Sequence, residues 1–408
     1  MRVLVLSQYY KPEQVGPAIW LAELVADLKA AGESVTVLTS FPNHPDGVIA
    51  ADYRHKVFQQ EVLDGVRVVR TYIYATPSKG FWRRLLSFGS FIITSLIGGI
   101  FALTRQGVVY AVLPPLPLGV TAVLLGRLKS AKVVINLQDI HPDVAVATDV
   151  LRNRGAIRFF QWMEKWIYRH ADALVVISEG FRQNLLAKAV PDGKIRVIPN
   201  WADPDFVRPG ENRLLREQCG SGKFAVVYSG GLTHNSALEP LIDAADILRE
   251  EPFSFVIHGD GVKKRELQQR ASTRKLQNLS FHPFVPLEQY PAVLSTAAMN
   301  VVTLHGAAAV ASVPSKIFKM MASGRPVLAI AAPESEIARL VAEAQCGICV
   351  PPGEPEQLAE ALRYARSDPE QLDEMGARGR KYLEQNMSRN VCTRLIHDLL
   401  CEMTRTSS

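Results

Sequence analysis

Short unbroken apolar runs recur along the chain, separated by stretches in which apolar residues return every three or four positions. Arg2–Leu6 is the first run, the mark of a strand buried on both faces of a parallel sheet. Leu21, Leu24, Val25 and Leu28 then share one face of a helix predicted over Ala18–Ala31, which Gly32 is placed to stop. Further strands are predicted at Ser34–Thr39, Val66–Tyr74, Val108–Leu113, Lys132–Leu137, Ala173–Ile177 and Lys194–Ile198. The turn-rich stretch Ile198–Pro204 begins a linker, after which the pattern restarts. Strands are predicted there at Phe224–Tyr228, Phe253–His258, Met299–Leu304, Pro326–Ile330 and Cys346–Val350. Helical stretches fall at Leu238–Glu250, Lys263–Ser272, Leu287–Thr296, Ser315–Ser323 and Glu334–Ala344, and two or three more helices close the chain. The alternation predicts an α/β protein with two doubly wound, Rossmann-like halves facing a cleft, ligands binding beyond the carboxyl ends of the strands. The predicted domains are 1–200, 201–385 and a last helix, 386–408, that crosses back to the first.

One segment departs from this pattern. After Phe81-Trp82-Arg83-Arg84, the twenty residues Leu85–Thr104 carry no charge. Twenty apolar residues suffice to span a bilayer. Ser87, Gly89, Ser90, Thr94, Ser95, Gly98 and Gly99 weaken that option, and the strand Val108–Leu113 follows at once. A buried crossover helix is the second option. The third is an interfacial helix dipping into lipid, with Lys79, Arg83 and Arg84 at the headgroups. The second and third are compatible, one face on the sheet and one on lipid.

The length of 408 residues allows two or three domains, and 48% hydrophobic with 21% charged residues is a globular composition. The net charge of +6 is uneven: residues 1–200 hold 23 Lys and Arg against 15 Asp and Glu. A basic first half suits an anionic partner such as phosphate or a lipid headgroup. No zinc spacing, single-strand-binding aromatic signature or basic helix with heptads points to nucleic acid. Four of the five cysteines lie after residue 340, which is no disulfide framework, and the lone Cys346-Gly-Ile-Cys349 reads as buried and inert. A reducing cytosol is expected, with no signal peptide before the first strand.

Candidate chemistry gathers at predicted strand ends. Pro314-Ser315-Lys316 reads as a helix start with Ser315 as its cap; free backbone N–H groups and the positive dipole end there suit a phosphate, and Lys316 adds a charge. Taken alone, the segment is better explained as an ordinary capped helix. Tyr228-Ser-Gly230-Gly231, after the first strand of the second half, lets a ligand approach the backbone closely. His258-Gly259-Asp260-Gly261 ends the next strand. Phe281-His-Pro-Phe284-Val285-Pro286 offers an aromatic face to a nucleobase. In the first half, Asn136-Leu-Gln138-Asp139-Ile-His141-Pro142-Asp143 places ionisable groups at a strand's end, candidates for acid–base or acceptor-binding work. Asp143 taken alone reads as a turn or cap residue.

These motifs in this order resemble retaining, nucleotide-sugar-dependent glycosyltransferases of the GT-B fold, glycosyltransferase family 4, and within it the colanic-acid-type exopolysaccharide enzymes. The resemblance rests on Tyr9-Tyr10-Lys-Pro-Glu13 with Gly16, Thr39-Ser-Phe-Pro42-Asn-His-Pro45, Arg84-Leu-Leu-Ser-Phe-Gly-Ser-Phe, Gln138-Asp139, Pro199-Asn200-Trp201, Tyr228-Ser-Gly230, Gly259-Asp260-Gly261, Pro314-Ser315-Lys316 and Ala322-Ser-Gly324-Arg-Pro326. It implies an acceptor domain followed by a nucleotide-sugar domain, with no metal and no cofactor beyond the donor itself. Carried over, Gly16, Gly230, Gly231, Ser315 and Lys316 would hold the donor diphosphate. Gly259, Phe284, Val285 and Lys319 would lie at the nucleobase and ribose, and Asp139 or His141 would serve the acceptor hydroxyl. Ala311 and Lys319 stand where the wider family has two glutamates, Ser236 where it has a lysine, and Gln138 where it has a histidine.

The implied reaction is transfer of one sugar from a nucleoside diphosphate to a hydroxyl of a lipid-diphosphate-linked saccharide, with the anomeric configuration kept. It would take place peripherally on the inner face of the cytoplasmic membrane, in exopolysaccharide or O-antigen synthesis. A nucleotide-sugar epimerase of the same fold and a non-catalytic membrane-bound scaffold are the competing classes. No G-x-G-x-x-G follows a strand, which speaks against a nicotinamide enzyme.

Overall fold

The apolar runs are strands of two parallel sheets, buried because helices cover both faces of each. In the computed structural model, the described residues are 1–13, 15–77, 81–102, 107–148, 150–210, 222–233, 236–304 and 314–405, with the side chains of 81, 82, 84 and 85 excepted. Lys79, His234 and Ala311, and the side chain of Arg84, lie outside them. The chain divides into two units, Met1–Pro199 with Cys392–Ser408, and Asn200–Val391.

The first unit runs β1 (Arg2–Leu6), α1 (Gly16–Ala30), β2 (Ser34–Ser40), β3 (Phe58–Leu63), β4 (Val66–Thr71), α2 (Phe81–Ala102), β5 (Val108–Leu113), α3 (Leu118–Lys129), β6 (Lys132–Leu137), α4 (Asp143–Ala147), α5 (Arg154–His170), β7 (Ala173–Val176), α6 (Glu179–Ala187) and β8 (Ile195–Val197). Its sheet order is β3-β4-β2-β1-β5-β6-β7-β8, parallel except for the antiparallel pair β3 and β4. β5 is buried at every position, as a central parallel strand requires. β3 lay outside the predicted strands. It is an edge strand, Phe-Gln-Gln-Glu-Val-Leu, whose polar residues give no apolar run.

The second unit runs β9 (Phe224–Ser229), α7 (Glu239–Ile247), β10 (Phe253–His258), α8 (Lys264–Thr273), β11 (Leu279–His282), α9 (Tyr290–Thr296), β12 (Met299–Thr303), α10 (Lys316–Ala322), β13 (Val327–Ile330), α11 (Glu336–Ala344), β14 (Gly347–Val350), α12 (Pro355–Ser367) and α13 (Pro369–Asn386). Its sheet, β11-β10-β9-β12-β13-β14, is parallel throughout. The final helix, α14 (Arg389–Arg405), joins the first unit from Cys392 onward. There, His397 Nε2 lies 2.8 Å from Glu33 Oε1, and Arg196 pairs with Glu402 at 3.1 Å. Cys346 is buried, and burial pushes its thiol up to about 12, so the CxxC segment is inert.

α2 resolves the unusual apolar segment. No helix among the described residues is long and apolar enough to cross a membrane. Ser90, Thr94, Ser95, Gly98 and Gly99 face the protein. A Cβ on Gly98 would meet Thr71 Cγ2 at 2.6 Å, and one on Gly99 would meet Leu125 of α3 at 2.4 Å, so only glycine lets the helix lie this close. Thr94 Oγ1 donates to Tyr72 O at 2.6 Å, and Ser90 Oγ accepts from Tyr74 N at 2.8 Å. The opposite face carries Leu86, Ile93, Ile97 and Phe101, 61%, 62%, 55% and 73% exposed. Phe91 is buried on the inner side, so the helix carries apolar residues on both sides, with a second apolar stripe turned outward.

Candidate functional site

In the second unit, the candidate residues meet at the carboxyl end of β9. Gly230 and Gly231 follow that strand, and Tyr228 OH donates to Gly231 O at 2.8 Å, pinning the turn. The Lys316 ammonium lies 4.0 Å from the centroid of the Tyr228 ring, and a Cβ on Gly230 would stand 3.3 Å from its Nζ. Lys316 keeps some exposed surface, yet desolvation of its ammonium lowers its pKa to about 7. No carboxylate among the described residues pairs with it. A cation of lowered proton affinity stacked on an aromatic ring beside a glycine turn suits an anion.

The glycines divide the labour. Gly230 N donates to His258 O at 3.0 Å, so its N–H is already spent; its lack of a side chain is what keeps Lys316 close to the turn. Gly231 N has no backbone partner among the described residues. Gly259 is explained by packing: a Cβ there would sit 2.0 Å from Gly230 O. It shapes the glycine turn from behind. Leu232 N to Asp260 O, 2.9 Å, and Lys263 N to Leu232 O, 3.0 Å, bind the two loops together.

Ser315 does not cap its helix. Its backbone is already helical (φ −57°, ψ −17°), whereas a capping side chain needs the extended conformation, and no cap bond forms. α10 has about two turns, so its dipole is small and the Lys316 charge counts for more. Lys319, one turn on, lies 5.6 Å from the ring of Tyr290, a phenol hydrogen-bonded to Ser229. Phe284 is 55% exposed, whereas Val285 packs on the core cluster of Val227 and Val293 and is structural. Ser236, at the family's lysine position, is buried and closes the turn through Thr233 N, 2.9 Å, and Thr233 O, 2.6 Å.

In the first unit, Asp139 and His141 follow β6. Asp139 is half-buried, and no hydrogen-bond donor or cation among the described residues reaches its carboxylate. Burial raises its pKa from 3.8 to about 6, poising it for proton transfer near neutrality. Desolvation lowers the pKa of His141, against the upward pull of Asp143. Asp143 itself is committed elsewhere, to Lys188 at 2.8 Å and Asn184 at 3.0 Å. Beneath Asp139, Gln138 Nε2 donates to Asn136 Oδ1, 2.7 Å, and Asn136 Nδ2 to the Tyr110 hydroxyl, 2.6 Å, so the strand end is held rigidly. Gly16 opens α1 of this unit, and a Cβ there would meet nothing within 4 Å, so packing does not demand glycine.

Three residues were given no individual role from the sequence. Glu13 is buried, and one carboxylate oxygen accepts from Asn43 N and His44 N, both at 2.9 Å; the other has no partner among the described residues. It welds the loop after β1 to the loop after β2. Two proline-flanked motifs, Lys11-Pro12-Glu13 and Pro42-Asn-His-Pro45, were the available signal. Tyr228 and Tyr290 read as core strand and helix residues; only the fold sets their rings under Lys316 and Lys319.

Residues 15–201 match the Glycosyl transferase 4-like domain, and residues 223–368 match Glycosyl transferases group 1. The chain is a glycosyltransferase of the GT-B fold. Over 416 aligned positions, this glycosyltransferase is 28% identical to WcaI of Escherichia coli strain K12, whose name ties it provisionally to colanic acid biosynthesis as a glycosyl transferase; the match spans 98% of the chain and all of WcaI. It is 27% identical to WbjE of Pseudomonas aeruginosa, named a probable glycosyltransferase, over 70% of the chain and 72% of WbjE. Among solved structures it is similar to sucrose-phosphate synthase from Thermosynechococcus elongatus (TM-score 0.78, 17% identity, 99% of each chain). It is also similar to Anabaena HepE in complex with UDP (TM-score 0.74, 16% identity, 98% of the chain and 100% of HepE). At such identities the structural likenesses speak for the fold.

Proposed function

We propose that the glycosyltransferase moves a sugar from a nucleoside diphosphate to a lipid-linked saccharide during bacterial polysaccharide synthesis, keeping the anomeric configuration. The observation that carries this is the Lys316 ammonium held over Tyr228 beside the Gly230–Gly231 turn. Negative charge develops on the departing diphosphate as the glycosidic bond breaks. Preorganised cations and N–H groups stabilise it in the transition state, typically a large term in catalysis. Lys316 and Gly231 N supply that stabilisation, with no metal called for. Asp139, its proton affinity raised by burial, accepts or orients the acceptor hydroxyl proton. The partial likeness to WcaI, WbjE and the D-rhamnosyltransferase WbpZ supports the polysaccharide setting. The UDP complex of HepE supports a nucleotide-linked donor. The outward apolar stripe of α2 supports peripheral attachment at the inner face of the cytoplasmic membrane.

The test is incubation of the purified protein with bacterial membranes and a panel of labelled nucleotide sugars, with and without EDTA. Label entering the organic-extractable lipid from one donor, undiminished by EDTA, is the expected result. Failure with every donor overturns the proposal.

A further inference from the structure

Below α2 and α5, at the carboxyl ends of β5 and β6, the first unit holds a cavity of about 290 Å³. Its walls include Phe88 of α2, Pro115 and Leu116 after β5, Val150, and Phe160 of α5; among the described residues the one polar side chain on them is His141. His141 is two residues from Asp139. A cavity this apolar is unsuited to a sugar, whose hydroxyls would lose water without gaining partners. Its volume is at the lower end for ligand pockets, about 300–1,000 Å³.

The surroundings say what fills it. Phe88 connects the cavity to α2, whose outward face is Leu86, Ile93, Ile97 and Phe101. Phe160 connects it to α5, where Phe159 and Trp162 are 52% and 61% exposed. The exposed ionisable residues of α5 are Arg154, Arg158, Lys165 and Arg169, because its single acidic residue, Glu164, is buried. α2 has no acidic residue and exposes Arg83. Aromatic and apolar side chains interleaved with cations of one sign complement an anionic lipid surface. A protein partner would call for mixed charge.

We propose that this cavity binds the hydrocarbon chain of the acceptor lipid next to its diphosphate, so that the head group emerges beside His141 and Asp139. The proposal rests on the transferase reading for its purpose but not for its measurement. Each methylene buried is worth about fourfold in affinity, so even partial filling of the cavity gives a large preference for a lipid diphosphate over diphosphate alone.

The experiment titrates the full-length protein with geranylgeranyl diphosphate, with inorganic diphosphate, and separately with phosphatidylglycerol vesicles. Ala145→Phe, which fills the cavity from α4, and Leu116→Ser, which makes its wall polar, are compared with Phe101→Ser on the outer stripe. Expected are binding of the prenyl diphosphate at least tenfold tighter than of inorganic diphosphate, and a tenfold or greater loss in both cavity variants. Phe101→Ser should weaken vesicle binding while leaving prenyl diphosphate binding intact. Equal affinity for the two diphosphates overturns the proposal. So does unchanged prenyl diphosphate binding in whichever cavity variant keeps the wild-type melting temperature. Loss of vesicle binding alone in the cavity variants would make this a bulk-membrane anchor and likewise overturn it. Because no sugar is transferred in this assay, prenyl diphosphate binding without any nucleotide-sugar turnover would sink the proposed function and leave standing only that the cavity binds a lipid diphosphate's chain.

Discussion

Asp139→Asn is predicted to make the protein more stable and far less active. The rise of the Asp139 pKa from 3.8 to about 6 has burial as its cause. Each pH unit of difference between folded and unfolded states is worth about 1.36 kcal/mol, so ionised Asp139 lowers folding stability by about 3 kcal/mol above pH 7. The sign follows from proton counting. Between about pH 3.8 and 6 the folded state holds the proton more tightly, so wild-type stability falls as pH rises through that window. Asparagine carries no charge at any pH and lacks this loss. The same two pKa values make the penalty at pH 5 roughly half of that at pH 7.5. The stability gained by the variant should therefore be larger at pH 7.5 by roughly 1–2 kcal/mol, and any constant cost of burying the amide cancels from that difference. For a unit of this size, about 2–4 °C of melting temperature accompanies each kcal/mol, so the variant's advantage should widen by about 3–6 °C between the two pH values. Four of the five tryptophans, Trp20, Trp82, Trp162 and Trp166, belong to the first unit, so intrinsic fluorescence follows its unfolding. An advantage that stays flat or shrinks from pH 5 to 7.5 would refute the idea that Asp139 is held under desolvation strain. Transfer should fall by about 10²–10⁴-fold if Asp139 handles the acceptor proton, and wild-type kcat/KM should drop as pH falls through about 6.

Lys316, with its pKa near 7, should gain a proton when a nucleoside diphosphate binds, because the anion favours the charged form; calorimetry in buffers of different ionisation heat should show uptake of about half a proton at pH 7. Lys316→Arg should abolish that uptake while keeping affinity at pH 8.5, and Lys316→Ala should weaken binding at every pH; unchanged donor affinity in the alanine variant would remove Lys316 from the site. Gly259→Ala forces a methyl against Gly230 O and should cost about 1–3 kcal/mol of second-unit stability, with weakened nucleotide binding; a variant of normal stability and affinity would contradict the packing described. Replacing Ile93 and Ile97 by Ser should release the protein from anionic vesicles in flotation without lowering its melting temperature, since neither side chain packs inward; persistent flotation would place the attachment elsewhere.

The central strands were legible because parallel strands covered on both faces must be continuously apolar: β1, β5, β6 and β10 fall at the predicted residues. β3 was illegible for the complementary reason, since an exposed antiparallel edge makes no such demand. In the candidate site, Gly230, Gly231 and Lys316 could be named from their positions at strand and helix ends. The aromatic ring joining them could not, because a strand tyrosine has no local mark of its partner. Ser315 looked like a cap because serine before a helix usually is one; its backbone angles were not written in its identity. The small residues of α2 were visible as an interruption of a would-be span. Which side of the helix they occupied was settled only by the sheet beneath it.

The assignment of Cys392–Ser408 to the first unit has a consequence for biosynthesis. A ribosome that has emitted residues 1–199 must go on to make the whole second unit before the piece that completes the first becomes available. The early product waits with the docking ground around Glu33 uncovered, and its maturation is timed by a neighbour translated after it.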